Sequence, residues 1–306
     1  MSRLKQADGI ERNIENMMTS SSGAAEEGNR FRERELTRLA FDLRKLVLEM
    51  ITRAGTGHIG GDFSVMEILV DLYFDQMRID PDREEDPDRD YFVLSKGHAV
   101  ESYYAVLAAR GFLDRESLLS QYSQFGSEYI GHPNNHLPGI EMNSGSLGHG
   151  LPVCLGMALA CKRDQRTNRV YTVLGDGELA EGSVWEGFMA AGQYQLDNLC
   201  AVIDCNGLQI SGPTESVMNH RRLADQVRSF DWHVIETDGN SISHLRDAFE
   251  EAGRTKGLPT CIIAHTTKGY GGGPLMENQA AWHHHVPDAE EARQILRSIE
   301  EKEALL

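Results

Sequence analysis

Residues 170–206 read VYTVLGDGELAEGSVWEGFMAAGQYQLDNLCAVIDCN, and this stretch decides the fold. It contains two short runs rich in β-branched residues, VYTVL and LCAVID, which are typical of strands. Between them, Val184 to Tyr194 has the composition and length of a helix. A strand, a helix and a second strand in this order form a βαβ unit, whose two strands are parallel. The sequence therefore predicts an α/β fold.

The same alternation continues on either side of this stretch. WHVIET at 232–237 and TCIIAH at 260–265 are strand-like, Ile242 to Ala252 between them is helical, and Tyr91 to Leu94 is a short apolar run. We expect a doubly wound parallel sheet with helices on both faces, and ligands bound at the carboxyl ends of its strands.

Apolar residues spaced by three, four and seven predict a long helix from Leu36 to Ile51 that ends near Gly55. Before it, TSSSGAAEEG at 19–28 is typical of a flexible linker. We interpret residues 1–30 as a flexible N-terminal arm and 31–306 as one α/β domain. Two pairs, Ser64 with Glu67 and Ser183 with Glu186, have the spacing of capping boxes at helix starts.

Composition limits the class of protein. The chain has 306 residues, with 30 Lys and Arg against 47 Asp and Glu, a net charge of −17. Such a charge disfavours nucleic acid and anionic membranes as partners, although a bound cation can reverse the sign inside one cleft. The 5 cysteines form no CxxC motif and adjoin apolar runs, so we expect buried thiols in a reducing compartment. We find no secretory signal and expect a cytoplasmic protein.

Two polar side chains follow neighbouring strands. Asp176 lies in GDG directly after VYTVL, and Asn206 follows LCAVID. Their oxygens, with a backbone carbonyl and phosphate oxygens, can complete a magnesium site, and Gly177 lets a backbone N–H approach a phosphate. Two ordinary turns would use the same residue types, but the spacing of the two favours the metal site.

Histidines follow glycine in four loops, at His58, His98, His132 and His149. We expect these imidazoles to converge on one cleft, where they can bind hydroxyls or phosphate and move protons. Binding of a metal is the weaker alternative, because the spacings are long. His283 follows Trp282 in a glycine-rich segment suited to a mobile loop, whereas the residues alone favour a surface position for the next two histidines, 284 and 285.

Seven segments occur in the order found in transketolases, and the match covers roughly residues 35 to 290. They are RAGTGHIGGDFSVMEILVDLYF (53–74), YFVLSKGHA (91–99), GHPNN (131–135), SGSLGHGLPVCLGMALA (144–160), GDGELAEGSVWEG (175–187), DCNGLQISG (204–212) and MENQAAWHHH (276–285). The chain most resembles the N-terminal subunit of split transketolases, the half that binds the diphosphate of thiamine diphosphate.

The resemblance implies a role for each site residue. The expected ligands of Mg²⁺, or of Ca²⁺ or Mn²⁺, are Asp176, Asn206 and the carbonyl of Leu208. The expected contacts of the cofactor are His98, Gly177 and His283 at the diphosphate, Gly145, Ser146 and Leu147 beside the thiazolium ring, Glu181 at the subunit interface, and also His58 and Asn206. His58 and His132 match residues that hold the donor's hydroxyls, and His58, His98, His132 and His283 form the expected catalytic set.

The resemblance also implies an activity: transfer of a two-carbon ketol unit from a ketose phosphate, or a sulfosugar, to an aldose. It implies a separate C-terminal subunit that carries the pyrimidine-binding domain, in an α₂β₂ assembly. One alternative is the α subunit of a 2-oxo acid dehydrogenase, which lacks the SKGHA and GHPNN histidines. Another is a non-catalytic assembly subunit on the same fold, which the intact Asp176 and Asn206 disfavour.

Two departures from the family pattern stand out. The usual GHPGG reads GHIGG at 57–61, which removes a proline and keeps His58. The usual Trp-His-Gly reads Trp282-His283-His284. A bulky residue thus replaces glycine beside an expected catalytic histidine, so that either the path of this loop differs or the sugar pocket is reshaped.

Overall fold

The computed structural model of the chain describes the backbone of residues 21–306 and the side chains of residues 27–306. Ten α-helices lie within this part of the chain: α1 Ser21–Ala54, α2 Ile59–Asp71, α3 Val100–Arg110, α4 Arg115–Gln121, α5 Gly150–Arg163, α6 Gly182–Gln193, α7 Thr214–Val217, α8 Leu223–Arg228, α9 Ile242–Arg254 and α10 Ala289–Glu303. Short 3₁₀ helices cover Gly97–Ala99, Gly177–Ala180 and Ala280–His283 among the connections.

The strands of this region form one central sheet and one small hairpin. They are β1 Tyr91–Leu94, β2 Val170–Gly175, β3 Leu199–Cys205, β4 Leu208–Gln209, β5 Gly212–Pro213, β6 His233–Asp238 and β7 Thr260–His265. The central sheet has the order β1-β2-β3-β7-β6 and all its pairs are parallel, whereas β4 and β5 pair antiparallel. The prediction of a parallel α/β sheet is confirmed.

The two faces of the sheet pack into separate apolar cores, because side chains alternate along each strand. In β2, Tyr171 and Val173 enter the core shared with α1, α2, α3, α9 and α10. Val170 and Leu174 enter the other core, with α5, α6 and α8. Helices therefore cover both faces, as the doubly wound prediction requires.

The N-terminal prediction holds only in part. Helix α1 ends at Ala54, next to the predicted stop at Gly55. It begins at Ser21, so the interpretation of residues 19–28 as a flexible linker is wrong from Ser21 onward. Ala24, Ala25, Glu26 and Glu27 favour helix, which extends the amphipathic segment backwards. The rest of the predicted arm, residues 1–20, lies outside the described residues, and the boundary of the domain at residue 31 stays a prediction.

Both predicted capping boxes are wrong. Helix α2 begins at Ile59, inside the expected glycine loop, so Ser64 and Glu67 lie in its interior. Glu67 forms a fully buried ion pair with Arg44 of α1. Ser183 lies inside α6 and donates its hydroxyl hydrogen bond to the carbonyl of Gly148 at 2.8 Å. These polar side chains serve tertiary contacts instead of helix ends.

All five cysteines carry free thiols, four buried and Cys205 partly exposed, as the sequence predicts. Burial raises the pKa of Cys154, Cys200 and Cys205 to about 12. The thiols are therefore protonated near neutral pH and behave as small apolar side chains. None of the helices within residues 21–306 is both long and apolar enough to cross a membrane.

Candidate active site

A cavity of about 230 Å³ opens at the carboxyl ends of β1, β2, β3 and β7. Its lining comes from the chain segments that follow these four strands and from Gly61 in α2. The lining residues are Gly61, Lys96, His98, His132, Gly145, Leu147, Gly175, Asp176, Gly177, Glu178, Asn206, Leu208, Gln209, Ile210, Lys268 and His283. Nine of the residues predicted for the site thus share one cavity: His98, His132, Gly145, Leu147, Asp176, Gly177, Asn206, Leu208 and His283.

Asp176 and Asn206 lie side by side at the tips of β2 and β3. The Asp176 carboxylate is 5% exposed and accepts hydrogen bonds from the N–H groups of Gly177 (2.9 Å) and Gly207 (2.7 Å) and from the Thr214 hydroxyl (3.1 Å). Burial and the nearby Asp204 raise the pKa of Asp176. The fixed carboxylate holds the two strand ends together and presents oxygen to the cavity.

A buried charge network lies beneath this pair. The Lys96 ammonium group and the Asp204 carboxylate form an ion pair, with 1% and 0% of their side chains exposed. Lys96 also donates to the carbonyl of Gly61 at 3.1 Å, and Asp204 accepts from the hydroxyls of Ser64 and Thr266. The network links β3 to the loop after β1 and to α2, so it fixes the floor of the cavity.

The structure places four of the predicted histidines close together. The ring centroid of His58 is 5.6 Å from that of His98, 6.0 Å from His132 and 5.8 Å from His283. His149 is the exception: it is exposed, its Nδ1 faces the Ser146 and Leu147 carbonyls, and it is absent from the cavity lining. Among the described side chains, no three His, Cys, Asp or Glu residues are grouped to hold a metal ion.

His284 lies at the surface, as the sequence predicts, but it also contacts the histidine cluster. Its ring is exposed, but it stacks on His58 with a centroid separation of 4.4 Å and an interplanar angle of 23°. His285 does point away, with its ring against Trp282 and its Nε2 2.8 Å from Glu291. The tight connection after the Ala280–His283 helix turns adjacent histidines to opposite sides, which the sequence pattern alone does not reveal.

Burial keeps these imidazoles neutral. It lowers the pKa of His58 to about 4 and that of His283 to about 3, and the neighbouring Lys268 contributes in both cases. Burial and Lys96 also hold the pKa of His98 well below its usual range, and burial lowers that of His132. At neutral pH each ring has one N–H donor and one acceptor nitrogen, which suits it to exchange protons with hydroxyl groups.

Lys268 and Lys96 are cavity residues that sequence reasoning missed. The side chain of Lys268 is buried, and its Nζ lies 2.9 Å from Nδ1 of His283 and 3.5 Å from the carbonyl oxygen of Leu208. Burial and Lys96 lower the pKa of Lys268 to about 8. Its position in HTTKG, directly after β7, was the available signal, since polar residues that follow parallel strands face the ligand edge.

Two buried acidic residues, Glu101 and Asp62, lie close to the backbone of His58. The backbone N–H of His58 lies 3.3 Å from Oε1 of Glu101, which also accepts from the Tyr122 hydroxyl. Burial raises the pKa of both Glu101 and the neighbouring Asp62, and each has one oxygen without another hydrogen-bond partner among the described residues. Burial thus shifts both carboxyl groups towards the protonated form, and the nearby Glu101 adds to this for Asp62.

Three predicted site residues, His58, Ser146 and Glu181, are absent from the cavity lining, whereas Gly145 belongs to it. Gly145 has φ of +135° and contacts the His132 ring so closely that a Cβ there would meet it at 2.5 Å. Ser146 and Glu181 are exposed and absent from the lining. Glu181 precedes α6 and caps it only through its backbone. The cavity lining therefore contains nine of the twelve predicted residues but not His58, Ser146 or Glu181.

Comparison with known proteins agrees with this geometry. The family described as "Transketolase, thiamine diphosphate binding domain" matches residues 36–300. An apulose-4-phosphate transketolase subunit of Phocaeicola vulgatus is 46% identical over 259 residues, which are 85% of this chain and 92% of the relative. The 6-deoxy-6-sulfo-D-fructose transketolase subunit SqwG of Clostridium sp. is 43% identical over 230 residues, 75% of this chain and 83% of the relative.

A solved transketolase from Pichia stipitis, in complex with sedoheptulose 7-phosphate, superposes with a TM-score of 0.79 at 28% identity. The superposition covers 89% of this chain and 44% of the Pichia chain, so the chain spans less than half the length of that transketolase. The chain belongs to the transketolase family and contains its thiamine diphosphate-binding domain.

Proposed function

We propose that the chain is the N-terminal subunit of a two-chain transketolase, which transfers a two-carbon ketol unit from a ketose phosphate or a sulfonated ketose to an aldose. The observation that supports this most is the single cavity that joins the oxygen ligands after β2 and β3 with neutral histidines. Two of the relatives are named as subunits of transketolases, one for a sugar phosphate and one for a sulfosugar, and these names support the same class of substrate.

The residues at the strand tips fit a divalent cation. Asp176 offers a carboxylate, Asn206 an amide oxygen and Leu208 a backbone carbonyl, and all three line the cavity. These are the hard oxygen ligands that Mg²⁺ prefers, and diphosphate oxygens would complete its coordination. A cation here would also offset the charge of a chain with net charge −17.

The walls of the cavity fit a diphosphate. Lys268 and Lys96 bring two buried amines to it, and His98 and His283 bring ring nitrogens. Gly177 packs closely against Gln209, since a Cβ on Gly177 would lie 3.0 Å from the Cβ of Gln209. The Oε1 of Gln209 is buried without a partner among the described residues, which leaves this acceptor available to a hydrogen-bond donor or a cation and not to the phosphate oxygens.

The reaction divides between the cofactor and the protein. Thiamine diphosphate, when bound, supplies a nucleophilic carbon and an electron sink for cleavage of a carbon–carbon bond. We assign to His58, His98, His132 and His283 the tasks of orienting the sugar hydroxyls and of accepting or returning their protons. Neutral imidazoles suit this task better than carboxylates, which would repel an alkoxide and the phosphates. The Glu101–Asp62 pair holds the backbone of His58 in place.

The assembly and location are part of the proposal. We expect a C-terminal subunit with the pyrimidine-binding domain, in an α₂β₂ heterotetramer, with the exposed Glu181 at the interface. We also expect the cytoplasm, which is supported by the five free thiols, since disulfides are rare in reducing compartments. Size determination of the co-expressed subunits and cell fractionation test these two expectations.

The deciding experiment reconstitutes the chain with its partner, Mg²⁺ and thiamine diphosphate and measures ketol transfer from ketose phosphates. We expect turnover by the pair and none by the chain alone. Asp176→Asn, which keeps the shape of the side chain, should weaken the apparent affinity for the cofactor by at least about 100-fold, since changes even outside the direct ligands cost about 10–100-fold. Asp164→Ala, an exposed acid after α5, is the matched control.

Three results would contradict the proposal. Full activity of the chain alone would exclude the two-chain arrangement. Decarboxylation of 2-oxo acids without ketol transfer would favour the dehydrogenase α subunit. No binding of thiamine diphosphate by the complete assembly, measured by calorimetry, would favour a non-catalytic subunit.

A further inference from the structure

The stack of His284 on His58 has no task in the function proposed above. The two rings are nearly parallel, at 23°, and their centroids are 4.4 Å apart, closer than those of any other pair of rings in the histidine cluster. His58 is half-buried whereas His284 is exposed. His284 therefore covers the outer face of a residue that contacts the cavity histidines on its inner side.

The backbone fixes this position. Trp282 is 5% exposed and anchors the segment, and a Cβ on Gly60 would lie only 2.6 Å from the Trp282 carbonyl oxygen. The loop thus packs directly on the turn that follows His58. His284 has φ of −138° and ψ of 24°, so its backbone does not require glycine. Its ring is held over His58 by the path of the chain and not by a strained conformation.

The histidine rings are arranged in order from the inside of the cavity to the solvent. His98, His132 and His283 line the cavity beside the strand tips, His58 contacts all three, and His284 contacts His58 from the solvent side. A sugar whose reacting carbons lie among the inner histidines must extend its remaining carbons outward, past His58. The His284 ring stands beside that path.

We propose that His284 is a specificity-determining residue, whose ring forms a wall beside His58 and limits the chain length of the ketose phosphate that the enzyme uses. The inference rests on the proposed ketol transfer and names the feature of the substrate that the site selects. The His284 ring limits the substrate through its shape and not through hydrogen bonds. A ring of similar size without nitrogen atoms should therefore have the same effect at this position. Shorter sugars end before the wall, whereas longer ones meet it.

The test uses the two-chain enzyme with Mg²⁺ and thiamine diphosphate, and it compares five-carbon with seven-carbon ketose phosphates as donors. The readout is the ratio of kcat/KM for the seven-carbon donor to that for the five-carbon donor. His284→Gly should raise this ratio by about tenfold or more, since one methylene group in a pocket is worth about 10–200-fold. His284→Phe keeps the stacked ring and should stay within about threefold of wild type.

His285→Gly is the matched control, because this adjacent ring faces Trp282 and Glu291 instead of His58. It should leave the ratio unchanged. An unchanged ratio in His284→Gly would overturn the inference, as would a His284→Phe enzyme that behaves like His284→Gly. An equal loss of kcat/KM for both donors would make His284 a support for His58 and would also overturn it. Absence of ketol transfer in the wild-type pair would instead overturn the proposed function, and the inference with it.

Discussion

Replacement of Lys96 by methionine would remove one partner of the ion pair under the cavity. Methionine has a similar length and no charge, so the change leaves little void. The variant leaves the buried carboxylate of Asp204, which is 0% exposed, without its cationic partner. The carboxylate would keep the hydroxyl groups of Ser64 and Thr266 and a longer contact with Asn206. Loss of one partner from a buried ion pair costs about 3–5 kcal/mol, because the other charge is left without compensation.

The expected change in Tm follows from this loss of free energy and from the length of the chain. Unfolding entropy is about 2.1 cal/mol/K per residue near 60 °C, hence about 0.64 kcal/mol/K for a chain of 306 residues. A loss of about 4 kcal/mol then lowers Tm by about 6 °C. Lys45→Met is the matched control, since the pair of Lys45 with Glu303 is partly exposed. It should cost about 1 kcal/mol or less.

The effect of Lys96→Met should depend on pH. Burial alone would raise the pKa of Asp204, but Lys96 and the hydroxyl groups hold it below its ordinary value. A lowered pKa in the folded state stabilises the protein above the unfolded pKa of about 3.9, and this contribution is lost as the pH falls. In the variant the stranded carboxylate binds a proton more readily. The stability difference should therefore be largest at pH 7 and shrink towards pH 4.

The assay is urea unfolding of the isolated chain, with thermal scans, at several pH values. A loss below about 1 kcal/mol for Lys96→Met at pH 7 would refute the view that the pair is buried and structurally required. A loss of the same size at pH 7 and pH 4 would refute the assignment of the effect to the Asp204 charge.

Three further outcomes are expected. Tyr122→Phe removes the donor to Glu101 and should lower the free energy of unfolding by about 1.5–3 kcal/mol in a urea titration; an unchanged midpoint would contradict the bond. Gly192→Ala places a Cβ 1.8 Å from the Phe230 carbonyl oxygen, so a soluble variant should lose about 1–3 kcal/mol or more, and a wild-type Tm would contradict this contact. The imidazole of His58 should titrate near pH 4 when followed by NMR. Because this folded-state pKa lies below the unfolded-state pKa of about 6.5, the contribution of His58 to stability should be lost as the pH falls below 6.5. Titration near pH 6.5 would show that the ring is exposed.

The sheet could be predicted because its signal is local. The runs VYTVL, LCAVID and TCIIAH are dense in β-branched residues, and both faces of each strand are buried. Asp176 and Asn206 could be predicted for the same reason: each lies at a strand end, and the register of parallel strands brings such ends together. The site thus follows from the sheet.

The capping pairs and the N-terminal linker failed because their signals are weak and other interactions decide. Ser64 and Glu67 have the spacing of a capping box, but Asp204 and Arg44 on distant segments bind them instead. Such partners are separated by many residues, and a local pattern contains no trace of them. The segment predicted as a linker contains few glycines and several helix formers, and the adjoining helix covers it from Ser21 onward.

The histidines show the same limit within the site. His58 and His149 each follow a glycine in the sequence. His58 joins the cluster, whereas His149 faces the carbonyl groups of its own loop. His284 has no such glycine and joins the cluster through the turn after Trp282. Convergence depends on how loops fold over the sheet, and residue spacing describes only the distance along the chain.

The chemistry of the five sulfur atoms has a practical consequence. Maleimide and similar reagents attack the thiolate, and none of these side chains releases its proton readily or offers its sulfur freely to solvent. A sixth thiol, introduced on the outer surface of α9, would therefore accept a fluorescent dye selectively without prior removal of the native ones. Fluorescence anisotropy of the dyed chain would then report association with a second polypeptide in real time.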